Sequence, residues 1–303
     1  MRRLLAGVGR TLVTAGILIL LFVAYQLWGT GLYTDREQSR LQDEFTALLD
    51  RNGPPATTTT TGPGSTTTTT TEEAPPAPPV GDAVAQIRIR KIGLDSIVVN
   101  GVSREDLRKG PGHYPDTPLP GQRGNSAIAG HRTTYGAPFG NLDQLEKGDT
   151  ITVRTLEGTF NFSVFDKLVV EPTDVSVLDP VHEDPGDPTS PLRASLTLTT
   201  CEPKYSAAKR LVITADLKPK ETPLPAPKLP RHSKTTELGL SGDEGSKVPT
   251  VISGFIAALV GGLWWLFFHR HRRWTTWFVG AIPFAVALFF FYSYLERVLP
   301  SNY

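Results

Sequence analysis

The sequence predicts a mainly β chain, a closed or nearly closed β-barrel with few short helices, carried on three transmembrane helices. Three observations predict it. Seven short runs with β-strand patterning fall between Val84 and Leu217, separated by Gly, Pro, Asn and Asp clusters. Three apolar runs of about bilayer-crossing length stand at the two ends of the 303-residue chain. Two low-complexity stretches separate those runs from the β-rich part.

Residues 1–10 carry Arg2, Arg3 and Arg10, and residues 11–28, TLVTAGILILLFVAYQLW, form the first span. No convincing small-residue cleavage site follows, so the span is an uncleaved anchor with its basic end in the cytoplasm. Residues 29–52 are charged, with Leu41, Phe45, Leu48 and Leu49 spaced for a short amphipathic helix rising from the membrane. No chemistry is suggested there. Residues 53–80 are Thr/Pro-rich, an extended disordered spacer open to O-glycosylation.

Residues 81–217 hold the seven strand candidates: AQIRIRKIG, LDSIVVNGV, GNSAIAGHR, DTITVRTLEG, TFNFSVFDKLVV, RASLTLTTC and RLVITADL. Ser103 suits the N-cap of a helix to Lys109, and Asn141 to Lys147 predicts another turn or two. A Pro-rich tether over 218–247 leads to the second span, 248–268, and the third, 274–295. Between them HRHRR, residues 269–273, is a basic cytoplasmic turn flanked by Trp264, Trp265, Trp274 and Trp277. This orientation places residues 30–247 and the tail 296–303 outside the cell. A formal net charge of +1 implies no nucleic-acid partner.

Cys201 is the one cysteine of the chain. It ends a run in which Leu196 and Leu198 alternate with Ser195, Thr197 and Thr199, predicting a half-buried strand with Cys201 on its polar side. An eight-residue loop joins this run to the next, which begins at Arg210, so antiparallel pairing brings Arg210 near Cys201. A thiol beside a guanidinium is a candidate nucleophile, because positive charge favours thiolate. A small buried hydrophobe is the other reading. An external domain with an unpaired thiol favours the reactive one.

A thiol nucleophile needs a proton partner. His269 and His271 lie in the cytoplasmic turn, His232 in the tether and His182 in an acidic loop. His131 directly follows the apolar run ending at Gly130, whereas His113 stands in a Pro/Gly loop that it braces. No carboxylate is obviously placed behind His131, which suits a Cys-His-Arg set better than a Cys-His-Asn triad. Thr200 has two readings, a hydrogen-bond partner of substrate or backbone and an ordinary strand residue. Tyr135 likewise either lines a substrate groove or supports its loop. The acidic loop Glu171 to Pro191 reads as solvated, with no metal site and no cofactor expected.

The blocks AGHRTTYGAPFGNL and TLTTC, with an arginine nine positions after the cysteine, resemble the sortases, cell-wall cysteine transpeptidases built on an eight-stranded barrel. The resemblance covers residues 84 to 217 and is greatest to class E, the housekeeping type of high-GC Gram-positive actinobacteria, through GPGHYPDTPLPGQRGNSAIAGHRTTYGAPF and the Thr/Pro spacer. It implies Cys201 as nucleophile, His131 as general acid and base, and Arg210 as oxyanion or substrate stabiliser. It implies as partners surface proteins with a C-terminal LAxTG or LPxTG signal, cut between Thr and Gly, and a lipid II or stem-peptide amine. The site implied is the outer face of the cell membrane, on a multi-pass protein. The C-terminal pair of spans departs from the commoner single anchor. A class C-like pilin polymerase, a plain cysteine peptidase and a non-catalytic external binding module are the alternatives.

Overall fold

The computed structural model describes residues 2–52, 78–184, 186–187, 189–227, 247–268 and 274–298. Nearly all of the Thr/Pro spacer, much of the second tether, the basic turn and the end of the tail lie outside the described residues. The chain divides into two compact units, one of terminal helices and one that starts at Thr30 and carries the barrel.

In the helical unit, α1 spans Arg2–Ala24, a π-helical turn Tyr25–Gly29, α4 Lys247–Phe268 and α5 Trp274–Val298. Small residues lie under large rings in this unit: a Cβ on Gly254 would meet Phe291 at 2.9 Å and one on Gly261 would meet Phe284 at 2.9 Å. Polar groups pair across helices, the Tyr292 hydroxyl donating to the Leu18 carbonyl at 2.7 Å and the Tyr25 hydroxyl lying 3.0 Å from that of Ser293. Three spans are expected from the sequence. Among the described residues, helices over Leu12–Arg51 and Lys247–Phe267 are long and apolar enough to cross a membrane, and Val279–Leu295 is a shorter apolar stretch within the 25-residue helix α5.

The second unit is an eight-stranded closed barrel in the order β1-β2-β3-β4-β7-β8-β6-β5. The strands are β1 Ala83–Ile89, β2 Leu94–Asn100, β3 Gly112–His113, β4 Gly124–Ala129, β5 Thr150–Arg154, β6 Thr159–Val170, β7 Ala194–Glu202 and β8 Lys209–Leu217. All seven sequence candidates are strands. The eighth, β3, is two residues long, too short for any periodicity to signal. Two neighbour pairs, β2 with β3 and β4 with β7, run parallel, and the rest are antiparallel. Ser103 caps α3, Arg104–Lys109, in a capping box with Asp106. The Asn141 turn is a 3₁₀ turn over Leu142–Gln144.

Ile87, Ile128, Phe139, Phe162, Leu196, Leu198 and Ile213 fill the barrel interior and are fully buried. The expectation of a half-buried β7 is overturned: Thr197 and Thr199 on its polar side are 1% and 6% exposed. The Thr197 hydroxyl donates to the Asn125 side chain at 2.8 Å, and the Asn125 amide donates to the Val177 carbonyl at 2.9 Å. The acidic loop therefore folds its 3₁₀ turn, Val175–Leu178, over the outer face of β4 and β7 instead of standing free in water.

Residues 30–52 form α2, Thr30–Asn52, which packs on the barrel instead of only rising as a stalk. Leu41 and Phe45 are 0% exposed against Ala83, Ile97 and Val99. Burial of two such side chains contributes roughly 3–6 kcal/mol. Gln38 satisfies its whole amide there, donating to the Ile97 and Lys109 carbonyls at 3.0 and 2.8 Å and accepting from Ile97 N and Ser96 Oγ at 2.8 Å each.

Candidate active site

Strand pairing assembles the site. In the antiparallel ladder of β7 with β8, Cys201 stands opposite Arg210. Arg210 Nη1 lies 3.9 Å from Cys201 Sγ and also donates to the Ala207 carbonyl at 3.2 Å, which ties the guanidinium to the connecting loop. On the other side, β4 runs parallel to β7 with Ala129 opposite Thr199. The pairing continues past the strand end, where the Gly130 amide donates to the Thr199 carbonyl at 3.1 Å. His131 comes two residues beyond Ala129, and Cys201 two beyond Thr199. Thus Cys201, with His131 on one neighbour and Arg210 on the other, lies at the same end of the barrel.

The histidine loop, 131–140, and the loop after Cys201 are bound to each other. Arg132 Nη1 donates to the Cys201 carbonyl at 2.7 Å and pairs with the Glu202 carboxylate, while its Nη2 lies 3.2 Å from Asp143. The Lys204 ammonium donates to the Gly140 carbonyl at 2.9 Å. Gly130 is required by space: a Cβ there would fall 2.6 Å from the Phe139 ring. The His131 Nδ1 lies 3.3 Å from the Thr134 hydroxyl, and its ring packs against that of Tyr135, tilted at 41° with the centroids 4.9 Å apart.

Burial acts on the Cys201 thiol. Cys201 is 4% exposed, and loss of hydration pushes its thiol above the ordinary range, with Arg210 and then Arg132 offsetting part of that rise. The adjacent guanidinium favours ionisation, as expected from the sequence, and burial of the sulfur acts against it.

The other expected site residues lie under cover. Thr200, 2% exposed, donates its hydroxyl to the Gly130 carbonyl at 2.7 Å, so it holds the two strands together below His131. Tyr135 is 5% exposed, its ring against His131. His113 braces its neighbourhood from β3, with Nε2 donating to the Pro118 carbonyl at 2.9 Å. His182 donates from Nδ1 to the Ser190 carbonyl at 2.7 Å, inside the acidic loop.

Residues 87–218, which span the barrel and this site, match the family model described as the sortase domain. The chain belongs to the sortase family. Sortase SrtE1 of Streptomyces coelicolor is 32% identical over 219 residues, which are 68% of this chain and 55% of that protein. The chain thus spans about half the length of that relative. Sortase SrtE2 of the same organism is 29% identical over 224 residues, 69% of this chain and 80% of its own length. Among solved structures, Sortase E1 from Streptomyces coelicolor with a tripeptide in the active site is 34% identical and covers 48% of this chain and 91% of its own, with a TM-score of 0.42. The relatives make this sortase class E-like.

Sequence reasoning missed Arg132. It is 5% exposed, donates to the Cys201 carbonyl and is one of the two cations that pull the Cys201 thiol down. Its position directly after His131 was legible, but a run of His and Arg at a strand end also describes a solvated loop, and only the fold turns that side chain inward.

Proposed function

We propose that this sortase is a cysteine transpeptidase, anchored in the cell membrane with its barrel outside, that joins surface proteins to a peptidoglycan-precursor amine. The observation that supports the reading is the strand register that sets Arg210 opposite Cys201, with β4, which leads into His131, on the other side of β7. In the first half-reaction the Cys201 proton passes to His131, and the sulfur attacks the carbonyl carbon between Thr and Gly of an LAxTG or LPxTG signal. Collapse of the tetrahedral adduct keeps the new C–S bond and breaks the C–N bond, and His131 gives its proton to the departing glycine amine. Arg210 donates to the oxyanion while it exists. In the second half, a lipid II or stem-peptide amine loses a proton to His131 and attacks the thioester carbonyl. The C–N bond forms, the C–S bond breaks, and the proton returns to sulfur.

Thr200 and Tyr135 act in this reading by supporting the His131 loop, not by touching substrate. The N-terminus and the basic turn 269–273 face the cytoplasm, as the concentration of arginine there favours. The test is to incubate the full-length protein in detergent micelles with LAxTG and LPxTG peptides and an amine, and to follow Cys201 by mass spectrometry. A thioester on Cys201 that converts to amide product supports the proposal. A chain that makes no adduct, or makes only the hydrolysed acid whatever the amine concentration, is not a transpeptidase.

A further inference from the structure

The His131 ring belongs to a stack that begins on α2. The Arg108 guanidinium lies 5.0 Å from the centre of the Tyr33 ring and 5.4 Å from that of Tyr135, and Tyr135 in turn lies 4.9 Å from the His131 ring. Tyr33 belongs to α2 and Arg108 to α3, so two elements outside the barrel wall reach the imidazole through one aromatic ring. Guanidinium faces of this kind hold rings at exposed and buried sites alike, and Arg108 is 4% exposed.

The backbone beneath the stack needs such support. Tyr135 has φ 52, a left-handed conformation that a bulky residue adopts only when its surroundings hold it. Its buried N–H is taken by the hydroxyl of Thr30, the first residue of α2, at 3.0 Å. One turn later the Thr34 hydroxyl donates to the Arg108 carbonyl at 2.9 Å, which fixes the guanidinium's own backbone to the same helix. Thr30 and Thr34 are 2% and 5% exposed. The far half of α2 does a separate job, since Phe45 and Leu41 anchor it on β1 and β2.

We propose that the first turn of α2 is part of the active site, with Thr30 and Tyr33 as positioning residues that hold the His131 imidazole through Tyr135. The proposal rests on the transpeptidase reading for its effect on rate, and on geometry alone for its effect on the ring. A barrel cut free of residues 30–52 loses this support even where the barrel strands are intact.

The experiment uses the full-length protein in detergent micelles, with an LAxTG peptide and an amine acceptor. Thr30→Val keeps the side-chain shape and removes the acceptor, Thr30→Ser restores it, Tyr33→Leu removes the aromatic face and Tyr33→Phe restores it. The Val and Leu variants should lower kcat about tenfold with KM within about twofold, and the Ser and Phe variants should recover most of that loss. Alkylation of Cys201 by iodoacetamide should slow in the Val and Leu variants and recover in Ser and Phe, because in this reading the thiol ionises by passing its proton to His131. Phe45→Leu, which loosens the far half of α2, should lower unfolding stability and leave kcat near wild type.

Histidine ring signals in NMR give a readout that needs no turnover. The His131 signal, assigned by its loss in His131→Asn, should move in Thr30→Val while that of His113 stays. If the His131 signal does not move, the positioning role is overturned whatever the activity. If it moves but the wild-type chain forms no Cys201 thioester, the positioning stands and the transpeptidase reading fails. Equal loss of kcat in Phe45→Leu would reduce α2 to a general support and overturn the specific claim for its first turn.

Discussion

Acidification should destabilise the barrel through His113. This imidazole is fully buried in β3, with Nδ1 3.2 Å from the Asn100 side-chain oxygen and Nε2 bonded to Pro118, and burial lowers its pKa from 6.5 to about 4. Between those two values the unfolded chain binds a proton that the folded chain refuses. The contribution is therefore complete above pH 6.5, shrinks as pH falls through that window, and is spent below about pH 4. Over the whole window it amounts to about 3 kcal/mol, of which about 2 kcal/mol is lost by pH 5. Cys201 supplies the assay, because it is the one thiol of the chain and is buried. Full-length protein is equilibrated in urea at pH 7.5 and pH 5, pulsed with a dithiodipyridine, and scored for labelled Cys201 by mass. Carboxylates also titrate in this range, so the quantity to compare is the wild-type loss minus that of His113→Gln, whose amide can still donate to Pro118. Wild type should lose about 2 kcal/mol more than the variant. Parallel losses in the two proteins would refute the assignment of the buried neutral imidazole.

Arg210→Lys keeps a positive charge beside Cys201 but loses the planar pair of donors, and acylation by the sorting peptide should fall roughly 100-fold while iodoacetamide alkylation changes little. Stopped-flow acylation and alkylation rates measured on one preparation check this, and equal losses in both would reassign Arg210 to thiol ionisation. Arg132→Gln removes the clamp on the Cys201 carbonyl and leaves Glu202, which is half-buried, without its cation. We expect a loss of about 2 kcal/mol in urea unfolding and a higher thiol pKa, read from the pH dependence of alkylation. Gly130→Ala pushes a methyl into Phe139 in the residue before His131. It should lower kcat by at least about tenfold, and an unchanged kcat would show that the loop yields without moving the ring.

The parts of the site that were legible in the sequence are those carried by local pattern and by residue chemistry. Cys201 at the end of an alternating run and Arg210 at the start of the next needed only a short loop to predict that they pair. The residue type and its apolar lead-in marked His131. The burial of Cys201 was not legible, and it opposes the ionising effect of the neighbouring guanidinium. The role of Thr200 depends on a carbonyl 70 residues away, and that of Tyr135 on a hydroxyl 105 residues away.

Alternation, turn residues and apolar run length act over a few residues, and so the sequence by itself determined the strand content, the helical spans at the two ends and the chemical kinds of the three site residues. Tertiary structure alone decided the two-residue strand β3, the cover that the acidic loop lays over β7, the inward turn of Arg132 and the docking of α2 against the histidine loop. Those features come from contacts between segments far apart in the chain. The free energy of such a contact belongs to the pair, so neither partner's local sequence carries it.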